Sequence, residues 1–366
     1  MIRPEFWRDK RVFLTGHTGF KGTWTSLLLA RLGAHVTGYS LSPETSPSLF
    51  ELSGGANIVA AHIVADIRDQ ATLTSAMRQA KPEVVIHMAA QSLVRRSYRN
   101  PTETFDVNVM GTAHVLEAIR ATPEARAGII VTTDKVYDLS GDTSPRKETD
   151  PLGGHDPYSA SKAAAEILTQ SWRQSFFVGQ ADASPANIAT VRSGNVIGGG
   201  DWSQDRIVTD LVASLSAGRE VELRYPDSVR PWLYVLDTLT GYLMLAERLH
   251  GGTRAFAEAW NFGPLAGEEM RVRDVVSLFA QEWGGRGGWR QAAGSQPAEA
   301  PLLRLDPGKA VDQLGWRPSL GQAEAIRETA AWYRAFLTQQ ADATNLCRAG
   351  VERHLSRIEQ ASPAAF

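Results

Sequence analysis

The chain of 366 residues is long enough for one large or two smaller cores, and its 43% hydrophobic and 21% charged residues are an ordinary globular mix. A formal net charge of −2 with no basic run argues against nucleic acid as the main partner, and a single cysteine, Cys347, excludes an internal disulfide framework and a cysteine-built metal site within one chain. No stretch approaches the roughly 18 apolar residues of a membrane span, and the charged start MIRPEFWRDKR does not read as a signal peptide. A cytoplasmic protein with no membrane partner is expected.

The first apolar run, Arg11 to Thr15, ends in Gly16-His-Thr-Gly19-Phe-Lys-Gly22. A helical segment from Thr23 to Leu32 and an apolar segment from His35 to Tyr39 complete a βαβ unit. Glycines here let the backbone turn tightly and approach a pyrophosphate held at the helix N-terminus. The spacing is GxxGxxG rather than the usual GxGxxG, and a turn that binds nothing could use the same glycines. The strand before and the helix after favour a dinucleotide site. The second strand ends in Tyr39-Ser40-Leu41, with neither an acid for an adenosine ribose nor an arginine for a 2′-phosphate, which favours NAD over NADP. Asp66 follows the run Ile63 to Ala65 and is placed to bond an adenine amino group, whereas Asp69 reads equally well as a helix N-cap.

Pro82 to Ala90 is a β-rich run whose His87 reads as a core histidine, and Gln91 to Arg96 follow at the strand end where open α/β sheets bind ligands. Asn108 opens a helix running to about Ile119. The run Ile129 to Thr132 then delivers Thr133-Asp134-Lys135 to the same edge. Tyr158 and Lys162 come next, four apart and so one helical turn from each other, after the helix start Asp156-Pro157. A phenol titrates near 10, so as a base at neutral pH it needs a neighbouring cation. Lys162 is placed to supply one, and its ammonium could also bond a cofactor ribose. A further buried strand, Ala189 to Arg192, leads into the glycine-rich loop Ser193 to Trp202. Arg206, Arg219, Arg224 and Arg230 follow, and guanidinium groups suit a diphosphate. A solvated surface arginine is the alternative for any one of them, and the preferred reading of Arg219. The alternation of strands and helices predicts an α/β, doubly wound parallel sheet of Rossmann type. The eight histidines are scattered, so no metal site is expected.

The motifs GHTGFKG, HMAAQSLVRRSY, TTDKVYD, DPYSASKAAAE, NVIGGGDW, RPWLYVLD and WNFGP occur in order along nearly the whole chain. Together they resemble the extended short-chain dehydrogenase/reductase superfamily and, within it, the nucleotide-sugar 4,6-dehydratases, most closely the branch that acts on CDP-glucose. The resemblance implies an NAD-binding domain over 1–187 with returning segments near 233–263, and a smaller C-terminal α/β substrate domain formed mainly by 188–366. It implies NAD held by Gly16, Thr18, Gly19, Phe20, Lys21, Gly22, Asp66, Ile67, Ala89, Ala90, Thr132, Tyr158 and Lys162. The nucleotide sugar would lie against Gln91, Ser92, Asn195, Arg206, Arg230 and Asn261. A homodimer or a dimer of dimers would form through the helices that carry Asn108 and Tyr158.

By the same resemblance, Tyr158 takes the proton of the sugar C4 hydroxyl, Thr133 bonds the O4 region, and Asp134 protonates the departing C6 hydroxyl. Many relatives have Asp-Glu where this chain has Asp134-Lys135, and the lysine matches the CDP-glucose branch. Two roles are open to Lys135: base for the C5 proton, or electrostatic stabiliser of the enolate. As a base it must first shed its own proton, and lowering a lysine from about 10.4 to about 7 requires roughly 4–5 kcal/mol of differential interaction. Two other readings compete with the dehydratase. One is an epimerase or reductase of the same superfamily, which would lack the Asp134-Lys135 pair. The other is a non-catalytic nucleotide-binding protein on the same fold.

Overall fold

A computed structural model describes residues 1–139, 144–178, 185–268, 270–285, 288–292 and 303–361. Six strands of the first half are β1 (Arg11–Thr15), β2 (His35–Ser40), β3 (Ala61–Val64), β4 (Val84–His87), β5 (Ala127–Val131) and β6 (Asn187–Ser193). With β11, Ala259–Phe262, they form one seven-stranded sheet in the order β11-β6-β5-β4-β1-β2-β3, and every pairing in it is parallel. The strands β4, β5 and β6 are buried along their full length, as expected where helices cover both faces. Successive residues split between the two faces: Leu14, Ile86 and Ile129 enter one core, and Phe13, Val85 and Ile130 enter the other. Each such side chain contributes about 1.5–3 kcal/mol by leaving water.

Strand order reverses at β1, whose neighbours are β2 and β4. The carboxyl ends of β1 and β4 therefore flank the crevice where such sheets bind ligands. The Phe20–Arg31 helix starts at this crevice. Asp69 caps the Gln70–Ala80 helix by accepting from Thr72 N. The Pro157–Trp172 helix starts at Asp156, which accepts from Ser159 N, and Pro157 occupies the first turn, where its missing N–H costs nothing. Asn108 does not open a helix. It lies in a widened π-helical turn, Asp106–Met110, between the Pro101–Phe105 and Gly111–Arg120 helices. Such turns insert one extra residue and cluster at functional sites.

The rest of the chain builds three small two-stranded pairings from β7 (Asn195–Ile197), β8 (Val221–Leu223), β9 (Val229–Arg230), β10 (Trp232–Tyr234), β12 (Met270–Arg271) and β13 (Trp289–Gln291). It returns to the first half at several places. The Val235–His250 helix, buried except at Arg248 and His250, packs on β5 and β6, and β11 lies beside β6. The last helix, Ala343–Gln360, packs against the Phe20–Arg31 helix. There Gly350 leaves room for the Trp24 ring, and the buried His354 bonds Thr240 Oγ1 through Nε2 at 2.7 Å. Among the described residues, no helix is long and apolar enough to cross a membrane.

Candidate active site

The carboxyl edge of the sheet and the β7–β10 region enclose a cleft of about 1700 Å³. Its floor on one side is the glycine loop. Gly16 has φ +76°, and a Cβ there would come within 2.6 Å of Ala89 N; a Cβ on Gly22 would meet Gly16 O at 2.0 Å. The loop and the helix start thus approach each other as only glycine permits. Gly19 caps the helix without a side-chain bond, which leaves the first N–H groups pointing at the cleft. Thr18 Oγ1 bonds Ser40 Oγ and Leu41 O, both at 2.9 Å, and ties this loop to the end of β2. Phe20, Lys21, Ile67, Ala89 and Ala90 line the same half. Asp66 lines it too, but its carboxylate is engaged by Arg68, at 2.6 Å from Nη2 and 2.9 Å from the backbone N. The Arg68 partner holds this carboxyl below its ordinary value, against the opposing effect of burial.

Of the catalytic candidates, Thr133, Lys135 and Tyr158 line the cleft, whereas Asp134 and Lys162 are buried and do not line it. The turn Asp134–Val136 follows β5, with Thr133 as its cap. Asp134 is fully buried; Thr133 Oγ1 donates to its Oδ1 at 3.0 Å, while its Oδ2 has no partner among the described residues. Lys135 Nζ lies 3.7 Å from Asp134 Oδ1 and its side chain is 35% exposed, facing the cleft. Burial pushes the Tyr158 phenol up to about 12, with the Thr133 hydroxyl and the charge of Arg206 pulling the other way. Burial pushes Lys162 down to about 7; the charge of Lys21 adds to this, and Glu166 opposes it. Lys162 Nζ donates to Val131 O at 3.1 Å. Lys162 is not among the groups that lower Tyr158 in the protein alone, and burial is the largest influence on both. Lys21 lies close enough to Asp134, Asp201 and Arg206 to feel all three, and burial followed by Arg206 pushes it down to about 8.

On the substrate side, Ser92, Asn195, Arg206 and Arg230 line the cleft. Arg206 precedes the Ile207–Ser216 helix, 3.5 Å from Asp201 Oδ2. Gln91 lines the cleft as well, but its amide is fully engaged: Nε2 donates to Thr104 Oγ1 at 2.9 Å and Oε1 accepts from Leu93 N at 2.7 Å. Its backbone is taken as well, N donating to Asn108 Oδ1 at 2.9 Å and O accepting from Asn108 Nδ2 at 3.0 Å. Asn261, expected against the nucleotide sugar, does not line the cleft. It is fully buried outside the cleft, where Oδ1 accepts from Tyr137 OH at 2.7 Å and Nδ2 donates to Arg146 O at 2.8 Å. The register of β11 on β6 sets Asn261 opposite Arg192 and turns it into the core.

Three features escaped the sequence reading. Asn108 Nδ2 donates to Gln91 O and Ser161 Oγ, joining the widened turn to the Tyr158 helix. Arg95 reaches across the cleft to Asp205 at 2.6 Å. Glu166 and Arg192 form a buried ion pair at 2.9 Å behind the Thr133 turn. The last of these had a signal in the spacing, since Glu166 stands four residues after Lys162.

The sequence profile described as GDP-mannose 4,6 dehydratase matches residues 13–329. The chain belongs to this dehydratase family. As a family member it is 43% identical over 344 residues to the CDP-glucose 4,6-dehydratase of Salmonella typhimurium, a match spanning 92% of this chain and 94% of that protein. It is 27% identical over 340 residues to a dTDP-glucose 4,6-dehydratase of Xanthomonas campestris pv. campestris, over 87% of this chain and 92% of the relative. Among solved structures, a UDP-glucose 4-epimerase of Thermus thermophilus in complex with NAD superposes with a TM-score of 0.74 at 26% identity, over 88% of this chain and 99% of that one. The fold of the dehydratase family is thus shared with an epimerase.

Proposed function

We propose that the protein is a hydro-lyase that uses NAD to convert CDP-glucose to CDP-4-dehydro-6-deoxyglucose and water, with no net oxidation. The observation that carries this reading is the acid–base pair Asp134 and Lys135 on the turn capped by Thr133, opposite Tyr158. The 43% identity to a CDP-glucose 4,6-dehydratase supports the nucleotide.

The glycine cradle, the free helix N-terminus and the apolar wall of Ile67 and Ala89 fit a dinucleotide, with Lys162 beneath it. Bound NAD supplies a hydride acceptor for C4 and the same hydride for C6. Tyr158 accepts the C4 hydroxyl proton, and Thr133 donates to the oxygen left behind. Because burial opposes a phenolate, the Thr133 hydroxyl and the charge of Arg206 are the chain's own means of stabilising it. The 4-ketone acidifies C5–H. Lys135 then removes the C5 proton, Asp134, through its unpartnered Oδ2, protonates the departing C6 hydroxyl, and Lys135 returns a proton to C5 as C6 regains the hydride. Arg206 and Arg230 hold the diphosphate.

The same reading has the protein act as a homodimer. Phe105 and Met110 on one helical stretch and Ile167 and Phe176 on the other are between 39% and 57% exposed, more than large apolar side chains usually leave in water together. An interface over these two helices covers all four.

The reaction is tested with CDP-glucose carrying deuterium at C4. The account predicts deuterium at C6 of the same product molecule, with no crossover to unlabelled substrate present in the mixture. Deuterium retained at C4, or released into free reduced cofactor, contradicts it.

A further inference from the structure

Glu166 lies one turn beyond Lys162 on the helix that begins with Tyr158, and only 4% of it is exposed. Its carboxylate accepts from the Thr132 hydroxyl, from Thr190 Oγ1 at 2.6 Å, and from Arg192 Nε and Nη2, both at 2.9 Å. Arg192, 3% exposed, continues the chain of contacts. Its Nη1 donates to Tyr137 OH at 2.8 Å, with the guanidinium 4.9 Å from the Tyr137 ring centre. Thr132 immediately precedes Thr133-Asp134-Lys135, and Tyr137 closes the same turn. One ion pair therefore grips the catalytic turn at both ends and fastens it to the helix that carries the other half of the catalytic set.

We propose that the Glu166–Arg192 pair is a positioning unit for the reaction, holding Thr133, Asp134 and Lys135 at working distance from Tyr158 and Lys162. The proposal rests on the dehydratase reading of the site. Stability alone does not call for a charge here, since well-packed neutral groups commonly replace a buried ion pair without loss. The charge has a second use. Lys162 is faced by Lys21 from the Phe20–Arg31 helix, by His87 from β4, and by Tyr158 and Glu166 on its own helix. Glu166 is the anion among them, and it opposes the loss of the Lys162 proton. Arg192 and the two threonine hydroxyls in turn keep Glu166 ionised, against the opposing effect of burial.

The test compares E166Q, E166Q/R192M and T132V with the wild type. Three quantities are read: turnover of CDP-glucose, melting temperature, and the titration of Lys162 followed by side-chain carbon NMR on protein without substrate. In E166Q the expected results are a kcat at least about tenfold lower with KM changed by less than about threefold, and a Lys162 midpoint below that of the wild type. The double variant, free of an uncompensated buried cation, regains the melting temperature but not kcat. Recovery of kcat together with the melting temperature overturns the proposal and leaves a structural pair only. So does an unmoved Lys162 midpoint. If E166Q does not fold, T132V cuts one tie and leaves the ion pair whole, and an unchanged kcat there overturns the proposal equally. A wild type that turns over no CDP-glucose removes the dehydratase reading instead, and the Lys162 titration then still decides the role of Glu166.

Discussion

Asp134 and Lys135 form an ion pair on the catalytic turn, with Nζ 3.7 Å from Oδ1. A buried, unpartnered Oδ2 on one side and a cleft-facing amine on the other suit the two ends of a C5/C6 elimination. Lys135→Met is therefore predicted to leave C4 oxidation visible in a single turnover while solvent deuterium uptake at C5 falls by about 10²–10⁴. Uptake at the wild-type rate reduces Lys135 to an electrostatic role. Tyr158, Lys162 and Thr133 were legible because helical spacing and a strand end bring them together. Asn261 was not, because a side chain's direction on a strand depends on register, and the partner of β11 lies some 70 residues earlier in the chain. The depressed Lys162 and raised Tyr158 were likewise invisible, since burial is a property of the assembled core.

Among the elements, the glycine loop is the most tightly constrained. A Cβ on Gly22 would lie 2.0 Å from Gly16 O, a backbone atom that no side-chain rotation can clear. Gly22→Ala is predicted to weaken NAD at least about tenfold, roughly 1.4 kcal/mol, with far-ultraviolet circular dichroism unchanged. Calorimetric titration with NAD checks it, and an unaltered affinity removes this loop from the cofactor site. The βα order of the first half was readable from apolar runs and breakers, because each strand is short and, apart from the exposed edge strand β3, largely buried. The widened turn at Asn108 was not. One extra residue in a helix changes neither composition nor capping signals, and shows only through the bonds from Asn108 to Gln91 and Ser161.

For the molecule as a whole, acid stability follows its buried histidines. Burial pushes His17 down to about 4 and both His87 and His354 down to about 3, so all three are held neutral in the fold. In the unfolded chain they bind protons near 6.5. Their contribution to stability is complete above that value and is lost as pH falls toward 3, each at about 1.4 kcal/mol per pH unit. Asp237, beside His354, runs the opposite way: burial raises it to about 6, so its effect strengthens the fold between about pH 6 and 4. His354→Gln is predicted to flatten the fall in unfolding free energy between pH 6 and 4 by about 1.4 kcal/mol per pH unit; an identical slope contradicts this. At the same scale, Ile167→Asp is predicted to convert a dimer to a monomer by light scattering, and a dimer that persists places the interface elsewhere. The docking of the Ala343–Gln360 helix on the Phe20–Arg31 helix had no signal in the sequence, because an amphipathic pattern marks a buried face without naming its partner.

Nucleotide preference and redox balance are read together by incubating the purified protein and NAD with CDP-, dTDP-, UDP- and GDP-linked hexoses in separate reactions. The near-ultraviolet absorbance of 4-keto-6-deoxysugars in alkali reports product, and reduced cofactor is followed alongside. The account predicts product from CDP-glucose and not from the others, with no net reduced cofactor. Net cofactor reduction would make the protein a dehydrogenase, and bound NAD with no turnover of any sugar would make it a binding protein.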